Sequence, residues 1–156
     1  MTPFVREAAT RDLDRVAALW TSITHHHQSL DPVFQMRPHA EDQIRALLLT
    51  LYRDPEARIF VYDDQGDILG ICIVRIDHSP PIMRETGRAE ITDLGVRESV
   101  RRKGIGTRLL EEALAWVQTS GIQRVEIQVA KGNAAGQLFW RARGFGDLMD
   151  VLHKRL

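Results

Sequence analysis

Between Ala89 and Leu110 the chain reads AEITDLGVRESVRRKGIGTRLL. A short apolar strand pattern, Ala89 to Val96, runs into a basic turn, Arg101-Arg102-Lys103-Gly104-Ile105-Gly106, and that turn opens a helix. Glycines at 104 and 106 allow a tight turn and bring backbone N–H groups close to a ligand with no Cβ in the way. The first-turn N–H groups of a helix have no partner within it, and the helix dipole favours negative charge there. The stretch therefore predicts a phosphate-binding turn between a strand and a helix.

Spacing narrows the ligand. A P-loop requires Gly-Lys-Ser/Thr four residues after a first glycine, and this turn lacks that order. A dinucleotide fingerprint requires a third glycine, whereas Gly106 is followed by Thr107, Arg108 and Leu109. The turn resembles the pyrophosphate loop of the GNAT N-acetyltransferases, Arg/Gln-x-x-Gly-x-Gly/Ala, with Arg101, Gly104 and Gly106 at its three fixed positions. In that superfamily the loop follows a strand and binds the pyrophosphate of coenzyme A. The resemblance thus implies acetyl-CoA as co-substrate, held here by Arg101, Arg102, Lys103, Gly104, Ile105, Gly106 and Thr107.

Twenty-one basic and 21 acidic residues cancel in a chain of 156, so no general attraction to nucleic acid or to an anionic membrane is expected. The charge is uneven all the same: Arg97, Arg101, Arg102, Lys103 and Arg108 surround the turn with Glu98 as the one acid among them. The length predicts one domain over residues 1–156, with enough chain for a core that needs neither disulfides nor metal. The single cysteine, Cys72, excludes an internal disulfide framework and a cysteine zinc site. Thr2 to Thr10 carries charges and no apolar run, and no stretch approaches 20 apolar residues. A cytoplasmic protein is expected, and a homodimer is compatible with this reading.

Along the chain, Phe4 to Ala8 reads as a strand, and Thr10 as the N-cap of a helix with Leu13, Val16, Trp20 and Ile23 on one face. Asp31-Pro32 breaks that pattern, and Ile44, Leu47, Leu48 and Leu51 mark a second helix that ends near Asp54-Pro55. Arg58–Tyr62 and Ile68–Ile76 flank Asp63-Asp64-Gln65-Gly66-Asp67 as a hairpin, and a loop runs from Ser79 to about Arg88. The helix after the phosphate turn should bury Ile105, Leu109, Ala113, Leu114 and Val117 and stop at Gly121. Val125, Ile127 and Val129 alternate as a strand, Asn133 starts a helix that ends at Gly144, and Phe145–Leu156 is predicted to be a final strand. The order β-α-α-β-β-β-α-β-α-β is an α/β fold. It is similar to the GNAT fold along nearly the whole chain, which implies a single mixed, predominantly antiparallel sheet flanked by helices.

A second segment carries the resemblance. Asn133 to Phe145, NAAGQLFWRARGF, is similar to the family pattern Asn-x-x-Ala-x-x-Leu/Phe-Tyr-x-x-x-Gly-Phe at Asn133, Phe139, Gly144 and Phe145. Gly136 replaces the usual alanine, a loss of helix propensity of about 1 kcal/mol. Trp140 stands where the family tyrosine, the proposed acid for the departing thiolate, usually sits. An indole N–H donates a hydrogen bond but has no titratable proton near neutral pH.

The resemblance implies residue roles. Leu94, Gly95 and Val96 would present backbone groups to the pantetheine arm, with an N–H near Leu94 stabilising the oxyanion, while Asn133 and Trp140 would also contact the cofactor. Glu90 precedes the loop arginine by the spacing of the strand glutamate that acts as base in histone-acetylating members; the alternative is a strand glutamate with no role. His25-His26-His27 does not read as a metal site, because consecutive helical residues face different ways. His27 is either a helix-end histidine at the core edge or, with Phe34, part of the acceptor cleft, which the loop around Glu85 could close. The expected reaction is acetyl transfer from acetyl-CoA to a primary amine of a small molecule, a protein N-terminus or a lysine through a ternary complex, with no metal. The alternative is a non-catalytic acyl-CoA-binding sensor or structural module.

Overall fold

The computed structural model describes residues 2–156. Strands β1 (Phe4–Glu7), β2 (Ala57–Asp64), β3 (Asp67–His78), β4 (Gly87–Val96) and β5 (Val125–Ile127) form one sheet in the order β1-β2-β3-β4-β5. The first four are antiparallel, and β5 runs parallel to β4. Helices α1 (Leu13–Gln28) and α2 (Glu41–Arg53) precede β2, α3 (Ile105–Thr119) joins β4 to β5, and α4 (Ala134–Ala142) follows β5.

Alternation along the strands divides the interior between the two sheet faces. Ile59, Val61, Ile71 and Ile73 meet Leu13, Val16, Ile44 and Leu48 of α1 and α2. Phe60, Tyr62, Cys72, Val74, Ala89 and Ile91 meet Ile105, Leu109, Ala113 and Val117 of α3 on the other face. The hairpin turn between β2 and β3 places Gln65 at φ 54° and Gly66 at φ 90°, the paired left-handed conformation that suits the twist of a two-residue connection. Burial holds the Cys72 thiol well above its ordinary pKa, so it serves as an apolar core group.

The structure corrects several local expectations. Thr10 does not cap α1: it opens a short 3-10 turn, and the Asp12 carboxylate accepts the Ala9 N–H at 2.7 Å. Asp12 is the better acceptor because Arg6 already fixes its orientation, with contacts of 2.7 and 3.0 Å. Leu47 is half exposed although it continues the α2 stripe, since Ile44 and Leu48 fill the face against β2. Strand β5 stops at Ile127, short of Val129.

The final strand expected over Phe145–Leu156 is absent. A strand needs a ladder, and β5 pairs with β4 over only three residues, leaving little edge to template another. Leu148, Met149, Val151 and Leu152 accordingly stay exposed. Among the described residues no helix is long and apolar enough to cross a membrane.

Candidate active site

The site lies where β4 loses its second neighbour. On one side β4 pairs with β3 all the way to Val96↔Gly70. On the other it pairs with β5 only at Ala89, Glu90 and Ile91, so the sheet opens from Thr92 onward. The Arg97 N–H donates to Leu69 O at 2.8 Å, which makes 97↔69 a hydrogen-bonded pair. Antiparallel alternation then directs the peptide groups of Asp93 and Gly95 towards β3, and those of Leu94 and Val96 into the opening. The backbone N–H singled out near Leu94 therefore faces a gap that no strand fills among the described residues.

Gly95 is required at this point by α1. A Cβ there would lie 1.9 Å from Ile23 Cδ1 and 2.5 Å from Ile23 Cγ1. Gly95→Ala should therefore destabilise the protein by about 1–3 kcal/mol, the ordinary cost of overpacking. Ile23→Ala in the same chain should recover most of that loss, whereas independent sites would simply add. Urea melts of the two single variants and the double variant measure the coupling.

The basic turn expected to bind phosphate follows directly. A 3-10 turn at Glu98–Val100 leads to Arg102 at φ 65° and Gly104 at φ 78°, and at Gly104, which heads α3, a Cβ would meet no other described residue within 4 Å beyond its chain neighbours. The open approach and the left-handed turn fit an oxyanion at the α3 N-terminus. The basic cluster sorts itself by partner. Arg97 is committed to Asp67 by two contacts of 2.9 Å and holds that carboxyl below its ordinary pKa. Arg108 donates to the Tyr62 hydroxyl at 3.1 Å, and Arg101 donates from Nε to Val96 O at 3.2 Å, bracing the turn against the strand end. Arg102 and Lys103 stay exposed beside Gly104. Arg143, which sequence reasoning missed, donates from Nε to Thr107 Oγ1 at 3.1 Å and lies over the Phe139 ring at 3.8 Å. It adds a cation to the turn and ties α4 to the first turn of α3.

Asn133 caps α4, accepting the Gly136 N–H at 3.0 Å. A Cβ on residue 136 would approach Asn133 Nδ2 to 2.6 Å, which accounts for glycine in place of the alanine of the motif. Trp140 stands between Phe139 and Phe145, with ring centroids 5.0 and 5.1 Å away, in edge-on packing against the α3-side core.

On the α1 side of the sheet, His27 and Phe34 come together with ring centroids 6.2 Å apart. Glu90 faces the same side, its Oε2 3.0 Å from Arg75 Nη2. Glu85 is held at the start of β5 by Arg124, with contacts of 2.7 and 2.8 Å that lower its carboxyl pKa. Among the described residues no hydrogen bond, ion pair or ring contact joins Glu85 to His27 or Phe34. Nor does any group of three histidine, cysteine or acidic side chains there suit a metal ion.

Asp93 is the other residue that sequence reasoning missed. Its Oδ1 accepts the Trp20 Nε1–H at 2.8 Å. A detectable signal was present: Ala89 and Ile91 alternate inward, and a charged residue two places on breaks that period.

A profile of the acetyltransferase (GNAT) family matches residues 18–145, a span that takes in the β4 opening, the basic turn and α4. The chain belongs to the acetyltransferase (GNAT) family. It is similar to the N-terminal acetyltransferase complex ARD1 subunit homolog of Dictyostelium discoideum, 32% identical over 82 residues, or 52% of this chain and 38% of that protein. The match thus spans well under half of the relative's length. Among solved structures, a mutant of the BH1408 protein from Bacillus halodurans superposes with a TM-score of 0.88 at 20% identity, covering 98% of this chain and 99% of that one. The aminoglycoside N-acetyltransferase AAC(6')-Iy in complex with CoA superposes with a TM-score of 0.79 at 17% identity, covering 99% and 95%. At these identities the structural likeness establishes the GNAT fold: a single mixed sheet with helices on both faces.

Proposed function

We propose that this GNAT-family protein transfers an acetyl group from acetyl-CoA to a primary amine, with both substrates bound together. The observation that carries the reading is the pair of peptide groups at Leu94 and Val96 left unpaired by β5, on the strand that leads into the turn before α3. In this reading Arg101 to Thr107 holds the pyrophosphate: Gly104 admits it, the N–H groups of Ile105 and Gly106 donate to it, and Arg102 and Lys103 neutralise it. The pantetheine arm lies along Gly95 and Val96 and reaches the Asn133 amide. The Leu94 N–H meets the thioester oxygen, where a preorganised donor is worth about 3 kcal/mol in the transition state. His27 and Phe34 border the acceptor side.

Trp140 supports a second reading, an acyl-CoA-binding module without turnover, because an indole cannot protonate the leaving thiolate. Acetyl transfer survives this substitution, since a thiol with a pKa of ~8.5 leaves tolerably as thiolate and takes its proton from water. Calorimetry with acetyl-CoA and a thiol-release assay with primary amines separate the two. Arg102→Glu should weaken acetyl-CoA by about 10–100-fold, the equivalent of one charge-assisted contact made repulsive, without loss of fold. Unchanged affinity would remove the phosphate turn from the assignment. Tight binding without thiol release for any amine would favour the module.

A further inference from the structure

Glu90 matches the family's strand glutamate in position, but its carboxylate is clamped. Arg75 Nη2 sits 3.0 Å from Glu90 Oε2, and Arg75 and Glu90 are direct cross-strand partners. That guanidinium takes up one of the two carboxylate oxygens, and its charge repels an incoming ammonium. Three residues further on, the sheet supplies a different carboxylate by a change of register. Val74 faces Ile91, whereas the next residue on β3, Ile73, faces Asp93, so Thr92 is an extra residue in β4. Without it, Asp93 would follow Ala89 and Ile91 into the α3-side core. The bulge turns Asp93 to the α1 side with Glu90, and Leu94 back to the α3 side.

We propose that Asp93 is the proton acceptor for the amine in the acetyl transfer inferred above, with Trp20 fixing its orientation. The indole N–H binds Oδ1 at 2.8 Å, and among the described residues no arginine or lysine pairs with the carboxylate. The carboxylate is half-buried and adjoins the peptide whose N–H, at Leu94, faces the opening. Proton acceptor and oxyanion donor are thus successive residues on one strand. In the reaction, an ammonium proton passes to Asp93, the neutral nitrogen forms the C–N bond and the C–S bond breaks. The second nitrogen proton passes to water, and the carboxyl proton returns to the thiolate or to solvent. The titratable and charged groups around Asp93 are His27 from α1, Glu90 from its own strand, and from β3 the Cys72 thiol and, beyond Glu90, Arg75. Burial raises the Asp93 pKa, which hydrogen bonds from Thr92 and Trp20 and the charge of His27 partly offset, while Glu90 raises it further. That direction suits a base working nearer neutrality.

The test is thiol release from acetyl-CoA with ethanolamine, tyramine, lysine amide and a free-N-terminus tetrapeptide, across pH 5–9. Asp93→Asn keeps an oxygen for Trp20, so fold and acetyl-CoA affinity should hold. Its kcat/KM should fall by about 10²–10⁴-fold, with the free-amine fraction alone then setting its rise with pH in place of the wild-type acid limb. Glu90→Gln should retain that limb, whatever its effect on rate. An Asp93→Asn enzyme with the wild-type limb, or a limb that disappears with Glu90→Gln instead, overturns the assignment while leaving acetyl transfer intact. A wild-type protein that binds acetyl-CoA and releases no thiol with any of these amines overturns acetyl transfer and this proposal together.

Discussion

Replacing Arg6 with methionine should destabilise the protein by about 3 kcal/mol at pH 7, because it leaves two low-exposure carboxylates without their cation. Arg6 sits between Asp12 at 2.7 Å and Asp63 at 2.9 Å, with side-chain exposures of 18%, 3% and 12%. Arg6 is the largest influence holding Asp12 below its ordinary pKa, against the opposing effect of burial. For Asp63 the leading influence is the Gly66 N–H, and Arg6 adds to it. Both folded-state values are depressed, so their contribution is complete above the unfolded carboxylate pKa of about 4 and disappears as pH falls through the lower folded values. In Arg6→Met those values rise, and protonation relieves the variant before it penalises the wild type. The stability gap should therefore be widest near pH 7 and narrow steadily below about pH 4.5. Denaturant melts at pH 7.0 and 3.5 give the two gaps. Equal gaps would mean that Arg6 acts through packing of its alkyl chain and not through charge.

Leu109→Ala should cost about 2–5 kcal/mol, the range for truncating a fully enclosed leucine. Leu109 has no exposed surface, and its Cδ1 would lie 2.9 Å from a Cβ on Gly70, so the side chain fills the space between α3 and β3 that glycine vacates. The helix it anchors also carries, at its N-terminus, the basic turn proposed to hold the pyrophosphate. A looser α3 should weaken acetyl-CoA binding modestly, and saturating acetyl-CoA should restore part of the lost melting temperature by mass action on the folded state. A stability loss below 1 kcal/mol would mean that Leu110, Ala113 and Val117 hold the helix without it.

The register of β4 explains why one residue was visible in sequence and another was not. Glu90 stands at a fixed distance from Arg101 along the chain, so a one-dimensional comparison finds it. Asp93 owes its direction to Thr92 being extra relative to β3, and its partner Trp20 lies 73 residues away. The charge at 93 breaks the inward period of Ala89 and Ile91, but neither the register of β3 nor the Trp20 partner is encoded within a window around it. Likewise Arg97 reads as part of the basic cluster until Asp67, 30 residues earlier, takes both its terminal nitrogens.

Local chemistry determined the elements that the sequence declared by itself. Glycine at 104, 121 and 144, all at positive φ, punctuates α3 and α4, and Asn133 caps α4 with its own side chain. The hairpin between β2 and β3 is likewise written in Asp64-Gln65-Gly66-Asp67, and the basic turn before α3 in six consecutive residues. These features depend on φ preferences and on hydrogen bonds spanning a few residues, so the chain specifies them wherever it goes. Tertiary structure decided the rest: the bulge that aims Asp93, the contact that demands Gly95 beneath Ile23, the commitment of Arg97 to Asp67 and the absence of a strand after Phe145. Each depends on a partner distant in sequence. A strand forms only where an edge accepts its hydrogen bonds, and a side chain's chemistry is set by which neighbours the fold places beside it.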